Sequence, residues 1–254
     1  MKKTLSIYIF TYLLLTNLSF SQQNERKFNI HTIAFYNLEN LFDTINDINK
    51  DDEKSPIMEI KYNRGEIYKK KLANMAKVIS EIGTDFNKRP PSIIGICEIE
   101  NRGVVEDLIS HENLSNHNYS FVHYDSPDRR GIDVALIYNT DIFEVINSKS
   151  HELYITYNNT SERSYTRDQL VISGKLDGEL LHLIVNHWPS RGADETKRIA
   201  AAKVNKSIID SLREIYKNPK IITMGDFNDD PFDKSIKQVI GCLLYTSDAA
   251  DDTC

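Results

Sequence analysis

Ser92-Ile93-Ile94-Gly95-Ile96-Cys97-Glu98 is a short, continuous apolar run, introduced by Pro90-Pro91 and stopped by a carboxylate. Such a run reads as a strand buried on both faces, the kind found inside layered α/β folds rather than in sheets with one wet side. The pattern recurs at Leu180–Val185, which ends in Asn186-His187-Trp188, and at Ile221–Met224, which ends in Gly225-Asp226. Three buried strands that each stop at a polar group demand cover from other layers and place chemistry at strand ends.

The remaining segments fill in an alternating pattern. Phe28–Tyr36 alternates in hydrophobicity and reads as a strand. Residues 43–67 are polar and read as a long loop. Leu72, Met75, Ala76, Ile79 and Ile82 mark one face of a helix that Gly83 ends. A helix is expected over Val104–Ile109, and strands over Tyr119–Tyr124, Ile132–Tyr138, Phe143–Ile146 and Gln169–Leu176. Ala193–Tyr216 is the longest expected helix, with Lys197, Arg198, Lys203 and Lys206 on what reads as an amphipathic outer helix. With no repeat and no interdomain linker, this is one α/β domain with mixed sheets.

Both ends are set apart. Lys2 and Lys3 precede an apolar run from Leu5 to Leu15, and Ser19-Phe20-Ser21 supplies the small residues of a cleavage site. Residues 1–21 therefore read as a secretory signal, which places the mature protein outside the cytoplasm, secreted or periplasmic, with no stable membrane anchor. At the other end, residues 242–254 resemble the conceptual translation of a transposase-type sequencing adapter and are set aside as an artefact. The domain proper is then 22–241. Of the three cysteines, Cys97 reads as a buried small hydrophobe, while Cys242 and Cys254 fall in the tail, so no disulfide framework is implied. Without the signal's two lysines the formal charge falls from −6 to −8. An acidic chain of this kind does not hold nucleic acid by overall charge alone.

The polar residues of interest gather where strands end: Asn37, Glu39 and Asn40; Glu98 and Glu100; His187; Asp226, Asn228 and Asp229. In layered α/β folds strand ends meet on one rim, so these distant residues are expected to converge. A rim of carboxylates and amides suits a hard, oxygen-seeking cation such as Mg²⁺ or Mn²⁺, and the histidines lack the ligand spacing of a zinc site.

The ordered set Phe35-Tyr36-Asn37-Leu38-Glu39-Asn40, Cys97-Glu98, Arg130-Gly131-Ile132-Asp133, Asn186-His187-Trp188-Pro189 and Gly225-Asp226-Phe227-Asn228 resembles the endonuclease/exonuclease/phosphatase superfamily over residues 28–241. The resemblance implies a four-layer α/β sandwich, two mixed β-sheets packed face to face with helices outside, here incomplete at the C-terminus. It implies that Glu98 is the main metal carboxylate and Asn37 the amide that helps hold the metal. Asp226 and Asn228 are implied to orient the attacking water and contact the phosphate, and His187 to hydrogen-bond the scissile phosphate. Arg130 and Arg167 are weaker matches to phosphate contacts. The activity implied is metal-dependent phosphodiester hydrolysis by a monomer, with nucleic acid as the substrate. A phosphatase or a phospholipid phosphodiesterase of the same fold, and a non-catalytic binding domain, are the alternatives. Family members close with a strand and Ser-Asp-His. The 15 residues from Phe227 to Gly241 leave no room for it, so the chain as given is expected to be incompletely folded and inactive or nearly so.

Overall fold

Two four-stranded sheets carry the fold of the computed structural model, which describes residues 29–157 and 160–241. The signal-type segment 1–21 and the tail 242–254, with Cys242 and Cys254, lie outside these residues. The first sheet is built from β1 (Ile33–Leu41), β2 (Ile93–Ile99), β3 (Tyr119–His123) and β4 (Asp133–Asn139), in the order β1-β2-β4-β3. The second follows from β5 (Phe143–His151), β8 (Gln169–Leu176), β9 (Glu179–His187) and β10 (Lys220–Asp226), in the order β10-β9-β8-β5. Between β5 and β8 a two-stranded hairpin pairs β6 (Ile155–Thr156) with β7 (Arg163–Ser164). The helices are α1 (Pro56–Glu59), α2 (Arg64–Glu81), α3 (Thr84–Asn87), α4 (Arg102–Ser110) and α5 (Glu195–Ile215).

The two sheets repeat one plan. Each has a parallel pair on one side, β1 with β2 and β10 with β9, followed by two antiparallel strands. Side-chain alternation along β2 shows why the strand is apolar throughout. Ile93 and Cys97 face the second sheet, where they join Val134, Leu136, Phe143, Leu170, Ile172, Leu183 and Met224. Ile94 and Ile96 face the other way, onto Leu72, Met75, Ala76 and Ile79 of α2 and Val104, Val105 and Leu108 of α4. On the far side of the second sheet, Val171 and Ile184 pack against Ile208, Ile209 and Leu212 of α5. The layers are therefore helix, sheet, sheet, helix, the four-layer sandwich that the resemblance implies. Each fully buried Ile or Leu of these seams contributes roughly 1.5–3 kcal/mol through its removal from water.

Some boundaries differ from the expectation. The first strand occupies Ile33–Leu41 rather than 28–36, because Leu38 and Leu41 are fully buried in the helix-facing core. The expected loop at 43–67 holds a 3₁₀ turn at Asp52–Lys54, α1 and the first turn of α2. Its few apolar residues decide this: Ile57 closes a small cluster with Phe42 and Ile132, packed by Met58 and Tyr68. Cys97 is a free, fully buried thiol, and burial raises its pKa. Among the described residues no helix is long and apolar enough to cross a membrane.

At the ends of β9 and β10 the backbones approach too closely for a side chain. Gly225 has φ +156°, and a Cβ there would lie 2.3 Å from the Asn186 carbonyl oxygen. Gly225→Ala is expected to destabilise the protein by about 1–3 kcal/mol, because the sheet would have to spread where the two strands end. Urea denaturation checks this: the midpoint should fall with an unchanged m-value.

Candidate metal centre

Glu98 reaches the rim because β2 breaks its own ladder there. Cys97 and Ile99 pair with the consecutive residues Val134 and Asp133 of β4, so Glu98 is an extra residue in a β-bulge. Its φ of +58° is left-handed, uncommon for a residue with a side chain. The register to β1 shifts at the same level, between Asn37 and Leu41, with Glu39 and Asn40 also at positive φ. Lys71 of α2 donates to the carbonyls of both, which supports the irregular end of β1.

Four strand ends converge at this rim. Asn37 ends the regular pairing of β1, Glu98 lies on β2, and His187 and Asp226 close β9 and β10 as direct partners in the parallel register. Asn37 Nδ2 donates to Glu98 Oε1 at 3.1 Å and to Asp226 Oδ2 at 3.1 Å, while its Oδ1 accepts from the Glu39 amide at 2.8 Å. With the amide so oriented, Asn37 positions the two carboxylates and spends its own oxygen on the backbone. Asp226 Oδ1 accepts from the Asn228 amide at 3.0 Å, a local turn that holds Asn228 at φ +52°. Asn228 Nδ2 in turn donates to the Trp188 carbonyl at 3.1 Å.

His187 is buried, with Nε2 3.8 Å from Glu98 Oε1, beyond hydrogen-bond reach. Its Nδ1 has no partner among the described residues. Burial first, then the charges of Arg167 and Arg130, push the imidazole pKa down to about 2, so the ring is neutral. A neutral ring keeps a lone pair on one nitrogen and a proton on the other. Ligand atoms of Glu98, His187 and Asp226 all lie within 4.8 Å of one another. The two carboxylates, joined by the Asn37 amide, gather negative charge that a divalent cation would offset, and the imidazole stands beside them. The residues fit a hard cation, since carboxylate oxygens dominate the set.

The two arginines behave differently. Arg167 is buried, and each of its three nitrogens makes a hydrogen bond: Nε donates to the His187 carbonyl at 3.2 Å and the two terminal nitrogens to the Trp188 carbonyl at 2.6 Å and Asp128 Oδ2 at 3.2 Å. Burial lowers its pKa and Asp128 raises it again. Arg167 therefore shapes the His187-Trp188 backbone. Arg130 shares Asp128 from the solvent side, with its own side chain half exposed.

The sequence pattern did not single out the polar network beneath the site. Asn205 of α5 is fully buried and donates to Gln169, Asn186 and Thr223. Asn186 holds the Trp188 indole N–H at 3.1 Å, and the Trp188 amide donates to the Asp226 carbonyl at 2.9 Å. The network fixes the end of β9 against β10 and α5. Beyond Asn186 and Trp188, its trace in the sequence is Asn205, at a core position of a helix face that also buries Arg198, Ala201, Ala202, Ile208, Ile209 and Leu212. Nearby, Asp229 is buried against Arg198 and Ser235, which ties the segment after β10 to α5.

The sequence profile described as the Endonuclease/Exonuclease/phosphatase family matches residues 32–250. Among solved structures, ANGEL2, a 2′,3′-cyclic phosphatase, is similar at a TM-score of 0.55 and 13% identity over 83% of this chain and 56% of that one. A mannosyl-6-phosphatase from Bacteroides thetaiotaomicron VPI-5482 is similar at a TM-score of 0.53 and 16% identity, over 84% of this chain and 70% of that one. The human Nocturnin catalytic domain aligns at 0.49 and 18%, over 65% of this chain and 60% of its own length. At these identities the likeness to the first two is one of fold, and the chain spans under two thirds of the length of ANGEL2 and of the Nocturnin domain. No curated protein matches it.

The geometry predicts metal affinity directly. Glu98→Gln and Asp226→Asn should each weaken Mn²⁺ binding at least about tenfold, the order seen when a group that orients or forms a metal site is removed. Titration followed by the free-ion electron paramagnetic resonance signal measures this without any turnover.

Proposed function

The chain belongs to the Endonuclease/Exonuclease/phosphatase family, and we propose that it is a divalent-metal-dependent phosphodiester hydrolase, a secreted or periplasmic nuclease. Members of this family hydrolyse phosphoester bonds, and the family is generally dependent on divalent metal. The observation that carries the reading is the meeting of Glu98, Asp226 and His187 on one rim, with Asn37 between the two carboxylates. Export rests on the signal-type residues 1–21.

Phosphodiesters resist attack because their negative charge repels nucleophiles. What Mg²⁺ or Mn²⁺ supplies when held by Glu98 and Asp226 is positive charge against the phosphate oxygens, in the ground state and more so as charge builds in the transition state. The chain's own groups do the positioning. Asp226, with one oxygen held by the Asn228 amide and the other by Asn37, is aimed as an acceptor for a water proton and aligns that water for in-line attack. His187, neutral and oriented by the Arg167 contact to its carbonyl, donates a ring N–H to a phosphate oxygen. Asn228 sits on the same turn as Asp226, where it meets the phosphate from the side of β10. Arg130, the exposed cation of the pair on Asp128, meets the incoming anion first.

Hydrolysis of bis(p-nitrophenyl) phosphate in Mg²⁺ tests the reading. Glu98→Gln and Asp226→Asn should each lower turnover on the order of 10²-fold or more, as does the removal of a comparable electrostatic stabiliser, and EDTA should abolish it. Circular dichroism of the variants checks that they fold. Turnover of p-nitrophenyl phosphate alone would replace the diesterase by a phosphatase. No metal-dependent turnover of either ester, with Mn²⁺ bound, would leave a binding domain.

A further inference from the structure

A basic feature lies against the backbone that follows His187. A cleft of about 190 Å³ is lined by Arg129, Arg130, Arg167 and Lys197, with Tyr157 and Tyr165 on its walls. Against these four cations the lining holds one carboxylate, Asp128, which Arg130 and Arg167 already share. In a chain of formal charge −6 this is a strong local reversal of sign.

How the outer cations are held matters more than their number. The Arg129 guanidinium lies 5.2 Å from the Tyr165 ring centroid, and Arg163 lies 4.7 Å from the same ring. Lys197 Nζ lies 4.7 Å from the Tyr157 ring and donates to Ser164 Oγ at 3.0 Å. Aromatic faces and a hydroxyl orient a cation without cancelling its charge. Neither Arg129 nor Lys197 has a carboxylate partner among the described residues. At the same wall Thr166 is buried, and its hydroxyl has no hydrogen-bond partner among the described residues. Oriented, uncompensated cations around a cleft are what an anionic group requires.

The cleft adjoins the chain that carries His187 through Arg167 and the residues after Trp188. Arg167 contacts the His187 and Trp188 carbonyls with two of its nitrogens and reaches Asp128 in the cleft with the third, and Pro189 and Ser190 form part of the lining. We propose that this cleft is a second phosphate subsite. It takes a phosphate group of the same substrate that lies beyond the scissile one, so the preferred substrate carries two or more phosphates. The inference rests on the phosphoester reading above and narrows it: the substrate is a nucleic-acid strand, through its next phosphodiester, or a small molecule, through a further phosphomonoester.

Direct binding tests this in EDTA, where no turnover occurs. The probes are a fluorescein-labelled thymidine octanucleotide, read by anisotropy, and fructose 1,6-bisphosphate as its competitor. The wild-type chain is compared with Arg129→Gln/Lys197→Gln and with Arg213→Gln, an exposed charge elsewhere on α5. The double variant should bind the probe at least about tenfold more weakly, and the slope of log affinity against log salt should shrink by about 0.7 for each phosphate that is no longer neutralised. Arg213→Gln should bind as wild type. Weakening seen with the octanucleotide assigns the subsite to a strand, and weakening seen only with the bisphosphate assigns it to a small molecule. Equal binding by wild type and double variant, an equal weakening in Arg213→Gln, or no binding of either probe by the wild type would each overturn the proposal. A hydrolytic failure would appear in the ester assays and leave this measurement unchanged, so the two readings fail separately. Thermal melts check that the double variant is folded.

Discussion

One amide group holds the two sheets in the relation that the rim requires. Asn37 belongs to the first sheet, and it donates both to Glu98 of that sheet and to Asp226 of the second. The apolar seam between the sheets sets their separation, since Cys97, Leu183 and Met224 belong to one buried cluster between them. The seam cannot set where two carboxylates stop relative to each other, because dispersion contacts have no direction. The hydrogen bonds of Asn37 do, and its oxygen is anchored to the Glu39 amide so that it cannot turn away. The same contact that brings the two carboxylates together also leaves an oxygen-rich rim that suits a hard cation.

A second layer of control sits behind the first. Trp188 is fully buried and lies edge-on to Phe227 at 4.8 Å, its indole held by Asn186 and its carbonyl by Arg167 and Asn228. Residues on either side of this tryptophan face the metal centre and the basic cleft. Its burial therefore places two sites at once, and a polar network around Asn205 supports it from α5. A buried network of this kind is stable only when nearly complete, which ties the helix, both strand ends and the rim into a single cooperative unit.

Much of the sandwich was legible in the sequence because burial on both faces writes itself as apolar runs. β8 falls at Gln169–Leu176 as expected, and β10 ends at Asp226, the carboxylate that stops its run, while β2 carries on one residue past Glu98 to Ile99. The convergence of Asn37, Glu98, His187 and Asp226 was also legible, through strand ends in a layered fold. Arg167 was not: a one-dimensional pattern cannot tell an arginine that meets solvent from one whose donors are taken up by carbonyls 20 and 21 residues away. The β6–β7 hairpin was missed because strands of two residues carry no period. The uneven sign of the surface was hidden as well, since net charge averages over a fold that gathers Arg129 and Lys197 from distant segments.

The bulge at Glu98 has a consequence for how this sheet relates to its own regularity. Cys97 faces one core and Ile99 the other, so the two would alternate correctly if they were neighbours. A chain lacking residue 98 would run β2 through the sheet with an unbroken ladder on the β4 side, and every apolar side chain would keep its place. By the standards of strand pairing alone Glu98 is a surplus letter. The protein keeps a grammatical fault in its most buried strand, and the fault is where its chemistry is written.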